Sequence, residues 1–231
     1  MSHKKPSILQ PGCANEFAPT IMKSFFKLFL LFVIVSVNAI AEDKKSSTGE
    51  VYLEKFLGDT QTLQANFQQT LRTRDGEVLQ QTKGKFYLDR PGKFRWNYQS
   101  PYEQIIVSDG ERIWIYDVDL QQVTVQKQIA GSPASPMALL EDSSTLYQSF
   151  DVFPLDEKNG VYRLKLVSKT KESDFAEIVV GLDAKGLLFM QLHDQFEQVT
   201  DIVFSDVSTN TELSNDIFKF IPPEGVDVFG G

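Results

Sequence analysis

The chain has 231 residues, 23 Lys and Arg against 31 Asp and Glu, two histidines and one cysteine, for a formal charge of −8. An acidic surface argues against a nucleic-acid interface, which needs a basic stripe to neutralise phosphates, and against resting on anionic lipid. Cys13, the lone cysteine, excludes an internal disulfide framework and a multi-thiolate metal site.

In chain order, residues 1–41 read as a presequence. Lys23 and Lys27 form a basic head, Leu28 to Val37 is an apolar run, and Ala39-Ile40-Ala41 is a small-x-small cleavage site. The run is too short to span a hydrocarbon core of about 30 Å as a helix. The expectation is a secretory signal starting at Met22, with export to an extracytoplasmic space. Cys13 lies ahead of the apolar run, so it is not a lipidation cysteine, and cleavage after Ala41 leaves a cysteine-free mature chain.

The remaining 42–231 are expected to form one domain. Removing Lys4, Lys5, Lys23, Lys27 and Glu16 with the presequence leaves 19 basic and 30 acidic residues, a net of −11. After a polar leader, a short helix is expected over 49–57, with Val51, Leu53, Phe56 and Leu57 on one side. Strand patterning follows. Ala65, Phe67 and Gln69 alternate with Asn66 and Gln68 ahead of the turn signal Asp75-Gly76, and Lys83 to Leu88 leads into Asp89-Arg90-Pro91-Gly92. Lys93-Phe94-Arg95-Trp96-Asn97-Tyr98 puts three aromatics on one face. Gln104 to Ser108, the turn Asp109-Gly110, and Glu111 to Tyr116 make a hairpin, the last strand apolar on both faces and so covered on both sides. Gln122 to Gln126 alternates again.

The rhythm breaks at Gly131 to Asp142, where Pro133 and Pro136 lead into Met137, Ala138, Leu139 and Leu140. This reads as a loop entering a short apolar helix, either a lid or a plug at one end of the core. Strands resume at Val161–Ser168, Phe175–Leu182, Leu187–His193 and Gln198–Val207, and the run Phe218 to Val228 closes the chain. Nine or ten closely spaced strands point to a single twisted antiparallel sheet curled into a barrel or half-barrel.

Chemistry is sparse. His193 is the one histidine after the presequence, no Gly-x-Ser-x-Gly elbow accompanies it, and phosphate-cradling glycine loops are missing. Asp and Glu are plentiful, but no pair stands out as a hydrolytic couple. The reading is of a protein that is not an enzyme and takes no cofactor or metal. Its aromatics are abundant instead: 13 Phe, 7 Tyr and 2 Trp serve the mature 190 residues. A strongly curved sheet does not easily fill its own concavity, so an apolar ligand cavity is a common outcome.

Gly84-x-Phe86-x-Leu88-x-Arg90-Pro91-x-x-Phe94-x-Trp96, then Pro101, Ile105-x-Val107-Ser108-Asp109-Gly110 and Trp114-x-Tyr116, closely resemble the LolA family of periplasmic lipoprotein chaperones. Phe67-Gln68-Gln69, Ser135-Pro136-Met137-x-Leu139-Leu140 and Phe218-x-Phe220-x-Pro222-Pro223-x-Gly225-Val226 extend the likeness over nearly the whole mature chain. The resemblance implies a mostly β fold, an incomplete, half-open antiparallel barrel whose concave apolar face is closed by short helices acting as a lid. It implies a monomeric periplasmic carrier of acylated lipoproteins, with an ABC-type releasing complex at the inner membrane and a LolB-like receptor lipoprotein at the outer membrane as partners. By the same likeness Arg90, with Pro136 in the lid, latches the empty cavity. Phe94, Trp96, Tyr98, Trp114, Met137, Leu139 and Leu140 are the acyl-binding candidates. The family often has phenylalanine where Met137 stands, which alters lid packing. The competing readings are a lipid or lipoprotein sensor, a LolB-like receptor, which would need a lipidated cysteine after its signal, and a β-sandwich hydrolase.

Overall fold

The computed structural model describes residues 47–128, 143–170, 173 and 175–230. The presequence and Pro136, Met137, Leu139 and Leu140 lie outside the described residues.

Helix α1 (Thr48–Asp59) starts at a reciprocal cap. Ser47 Oγ accepts from the Glu50 amide at 3.2 Å, and the Ser47 amide donates to Glu50 Oε2 at 2.6 Å. The helix is amphipathic and buries Leu53, Phe56 and Leu57, but Val51, expected on the same side, is exposed. Gly49 lets it sit close to the sheet, since a Cβ there would lie 3.1 Å from the Leu164 side chain.

Twelve strands follow. The first six are β1 (Thr62–Arg72), β2 (Val78–Asp89), β3 (Lys93–Ser100), β4 (Gln104–Asp109), β5 (Arg112–Asp117) and β6 (Gln122–Lys127). A short helix α2 (Ser143–Ser149) precedes β7 (Phe150–Lys158), β8 (Val161–Ser168), β9 (Phe175–Asp183), β10 (Gly186–Asp194) and β11 (Val199–Thr209). A 3-10 turn (Asn215–Phe218) then leads to β12 (Asp227–Gly230). The spatial order is β12-β6-β5-β4-β3-β2-β1-β11-β10-β9-β8-β7 in one sheet. All neighbours are antiparallel except β12, which runs parallel to β6. β7 and β12 are edges that do not pair with each other, so the barrel stays open.

Two elements differ from the sequence expectation. β7 was not anticipated, because Pro154 interrupts Phe150 to Lys158; as an edge strand it can carry a residue with no N–H to donate. The closing run Phe218 to Val228, named last in the series of strands, is strand only from Asp227 on. Pro222 and Pro223 remove two donors and Gly225 turns at φ +84°, so Phe218 ends the 3-10 turn and the strand begins only at Asp227.

The sheet's inner face carries the core. Leu63, Ala65 and Phe67 on β1, Phe86 and Leu88 on β2, Phe94 and Trp96 on β3, and Ile202 and Phe204 on β11 join Leu53, Phe56 and Leu57 of α1 in one cluster. Its centre is aromatic: the Trp96 ring lies 4.3 Å from Phe86, 4.8 Å from Phe67 and 6.2 Å from Phe204. The outer face of β3 to β5 is covered by the C-terminal segment. Arg95 Nη1 donates to the Ile217 carbonyl at 3.0 Å, and Phe218 is buried.

Candidate functional site

The inner face is not filled along its whole length. Beside the aromatic cluster lies a partly open cleft of about 330 Å³. One wall is Phe94, Trp96 and Tyr98 of β3 with Ile106, Ile113 and Ile115 of β4 and β5; the other is Phe175, Leu192 and Ile202 of β9 to β11. Polar lining comes from Gln69, Gln126 and Thr200. The volume is at the small end of the roughly 300–1,000 Å³ typical of ligand pockets. The cleft exists because β1 to β6 and β7 to β11 curve toward each other without meeting at their outer edges.

Period-2 alternation places the β3 aromatics here. Phe94 and Trp96 are 4 % and 6 % exposed, and Tyr98 stacks on Trp96 with ring centroids 6.3 Å apart. Burial pushes the Tyr98 hydroxyl up to about 12, and it donates to Gln69 Oε1 at 3.2 Å. Trp114 is not brought to the cleft. Residues 113 and 115 take the inner positions of β5, so Trp114 and Tyr116 face the other way and pack on Phe220, centroids 6.5 and 5.7 Å away. The expectation for Trp114 is therefore corrected. Ile113, Ile115, Phe175, Leu192 and Ile202 were not singled out from the sequence. For β5 the signal was present, since both of its faces are apolar, but the larger rings drew the assignment to the wrong face.

Arg90 sits at the end of β2 and is 8 % exposed. Its Nη1 donates to the carbonyls of Phe56 at 3.2 Å, Leu57 at 2.8 Å and Thr60 at 2.5 Å, and its guanidinium lies 5.2 Å from the Phe56 ring centroid. The Phe56 carbonyl also accepts from the Thr60 amide at 3.3 Å, while those of Leu57 and Thr60 are among the ones a helix C-terminus leaves without an intrahelical partner. The last turn of α1 has no basic residue of its own, so Arg90 supplies the cation that favours that end of the helix dipole. Backbone bonds reinforce the join: the Arg90 amide donates to the Gln61 carbonyl at 2.9 Å, and Gln61 Nε2 donates to the Arg90 carbonyl. The described bonds of Arg90 thus fasten the β2–β3 connection to α1, an element that sequence reasoning had not named as its partner.

The second helix is tied to the first. Tyr147 Oη donates to Glu54 Oε1 at 3.2 Å. Partial burial, then the neighbouring Glu54 carboxylate, raise the Tyr147 hydroxyl to about 12.

The family model for the outer membrane lipoprotein carrier protein LolA matches residues 58–221. The chain belongs to the LolA family. Among relatives of this LolA-family chain, the outer-membrane lipoprotein carrier protein of Nitrosospira multiformis is 40 % identical over 204 residues, 88 % of this chain and 96 % of that one. Its counterpart in Methylococcus capsulatus is 41 % identical over 183 residues, 79 % and 88 % of the two chains. A solved structure of an uncharacterized conserved protein from Thermus thermophilus matches at a TM-score of 0.50 with 15 % identity, covering 78 % of this chain and 96 % of that one. That likeness concerns the fold alone.

Proposed function

We propose that this LolA-family chain carries acylated lipoproteins through the periplasm. It receives them from an ABC-type releasing complex of the inner membrane, shelters their acyl chains in the cleft, and yields them to an outer-membrane receptor lipoprotein of the LolB kind. The observation that carries the reading is the cleft between β3–β5 and β9–β11, with a mostly apolar lining. An acyl chain gains roughly 0.8 kcal/mol for each CH₂ it buries, so capture needs area and shape. The polar lining groups are two amides and two hydroxyls, suited to binding and to no proton transfer near neutral pH. The chain works as a monomer and catalyses nothing.

Phe94, Trp96 and Tyr98 form the acyl-contacting wall. Arg90 is the latch: with the cavity empty it holds α1 by its C-terminal carbonyls, and entry of an acyl chain displaces the helix and releases them. The sequence 131–142, with Pro136, Met137, Leu139 and Leu140, supplies the soft remainder of the lid. Residues 1–41 direct export and are removed; 42–231 is the carrier domain.

The test is purification of 42–231 from a periplasm, followed by native mass measurement and lipid extraction, and by incubation with spheroplasts. Co-purified or captured lipoprotein supports the carrier. A ligand-free protein that takes nothing from spheroplasts overturns it and favours a sensor or a hydrolase.

A further inference from the structure

The inner face of the cleft changes character along the strands. Phe94 and Trp96 lie toward the Arg90 corner. Two residues beyond Trp96 stands Tyr98, facing Gly84 across β2, and Gly84 in turn faces Phe67 of β1. One pleat further toward the β1–β2 turn stands Gln69, opposite Thr82 on one side and Ile202 on the other. Thr200 lines the cleft at this same end, at the start of β11. Polar lining thus comes from Gln126 on the Phe94 rung and from Tyr98, Gln69 and Thr200 toward the turns, with Trp96 and Ile106 between them.

Within that stretch the hydrogen-bonding capacity is unbalanced. Tyr98 donates its proton to Gln69 Oε1. Its ring is held edge-on to Phe67, centroids 5.1 Å apart at 79°, and stacked on Trp96, so the hydroxyl has one direction to point. The Tyr98 phenol keeps its proton throughout the physiological range, as an ordinary tyrosine does, and burial pushes it further up, to about 12. With its oxygen engaged, the Gln69 amide is oriented with both N–H donors turned elsewhere, and these find no acceptor among the described residues. On the paired rung the Thr82 hydroxyl, in a residue only 9 % exposed, also has no hydrogen-bond partner. Gln69 lines the cleft, so its N–H groups face the space an incoming ligand enters, where an acceptor gains a hydrogen bond in a mostly apolar surrounding.

We infer that Gln69, oriented by Tyr98, forms a subsite for the carbonyl oxygen at which a fatty-acyl chain joins its headgroup. This rests on the carrier reading above and deepens it. A hydrocarbon chain lying along Phe94 and Trp96 toward the turns meets the Gln69 amide at this rung. An acyl carbonyl is an acceptor without a donor of its own, matching the free Gln69 N–H groups. The carbonyl belongs either to a glyceryl ester or to an N-acyl amide, and the two share this chemistry.

The experiment uses the mature chain, 42–231, and three ligands of matched length: methyl dodecanoate, N-methyldodecanamide and dodecyl methyl ether, which has no carbonyl. Binding is read from tryptophan fluorescence of a Trp114→Phe background, which leaves Trp96 as the reporter, with displacement of a neutral apolar dye as a check. Each affinity is expressed as a ratio to that of the ether, so that lost apolar contact cancels. In the parent the carbonyl ligands are preferred. Gln69→Leu lowers the ratio about five-fold, the worth of one neutral hydrogen bond, and Tyr98→Phe lowers it in the same direction by less. Loss confined to the ester assigns the subsite to glyceryl esters, and loss confined to the amide assigns it to the N-acyl group. Circular dichroism checks folding, and should Gln69→Leu fail that check, Tyr98→Phe decides alone. Ratios unchanged in every folded variant overturn the subsite and leave the carrier reading standing, because the ether still binds. A parent that binds none of the three overturns both.

Discussion

Replacing Arg90 by leucine separates the two things that residue does. In the empty protein one nitrogen serves three carbonyls at the end of α1. That nitrogen carries only two N–H groups, so the three contacts share them and are not additive; their joint worth is taken as that of one hydrogen bond to a charged group, about 1.5–3 kcal/mol. The cation at a helix C-terminus adds about 0.3–1 kcal/mol, and its contact with the Phe56 ring adds about 0.5–1 kcal/mol. Leucine recovers part of the buried apolar area, leaving a net loss of about 3 kcal/mol. For a domain of 150–250 residues that lowers Tm by roughly 6–12 °C. If α1 moves aside when the cleft is filled, the filled state does not share this loss, and the balance shifts toward it by about a hundred-fold. Arg90→Leu is therefore expected to melt earlier when empty and to keep lipoprotein that the parent releases. The assays are a thermal melt of delipidated protein and a transfer assay from loaded carrier to outer-membrane vesicles. Arg90→Lys keeps the charge but not the forked donors, and should fall between. A variant that melts early yet hands over cargo like the parent refutes the latch and leaves Arg90 a structural cap.

Three further outcomes follow from the geometry. Trp96→Ala should weaken acyl binding and cost about 3–5 kcal/mol of stability, whereas Trp114→Ala should leave acyl binding unchanged; equal effects on binding would mean that β5 is turned over. Gly84→Ala should destabilise by more than about 2 kcal/mol in a denaturant titration, because the added Cβ would fall 1.9 Å from the Asn97 carbonyl oxygen, which is backbone and cannot swing away. Tyr98 ionises near 10 in the unfolded chain and near 12 in the folded one. Its neutral form contributes stability below pH 10 that is lost as the pH rises through 12, on the order of 2 kcal/mol. Tyr98→Phe should flatten the stability loss across that window, and an unaltered slope would show that the hydroxyl is not held out of water.

The strands with strict alternation were legible. Phe94, Trp96 and Tyr98 are separated by Arg95 and Asn97, and only one face of such a strand can be buried. The capped helix was legible too, because its apolar residues recur at helical spacing. What the sequence could not show was which face of β5 looks inward. With Ile113 and Ile115 on one side and Trp114 and Tyr116 on the other, local pattern leaves both registers open. The decision comes from Phe220, more than a hundred residues later, which covers the rings from outside. β7 was hidden for a different reason: its proline and charged residues are those of a protected edge, and being an edge is a property of the sheet. The Arg90 corner was legible as a motif, but its acceptors are backbone carbonyls and carry no side-chain signature.

The two unpaired edges have a mechanical consequence. The width of a closed barrel is fixed by strand number and stagger, and widening it means breaking ladder hydrogen bonds. Here β7 and β12 are separate ends of one ribbon, and the ribbon can splay by changing its twist while each of its eleven pairings stays intact. The interior can then follow the bulk of its contents at little cost in hydrogen bonding.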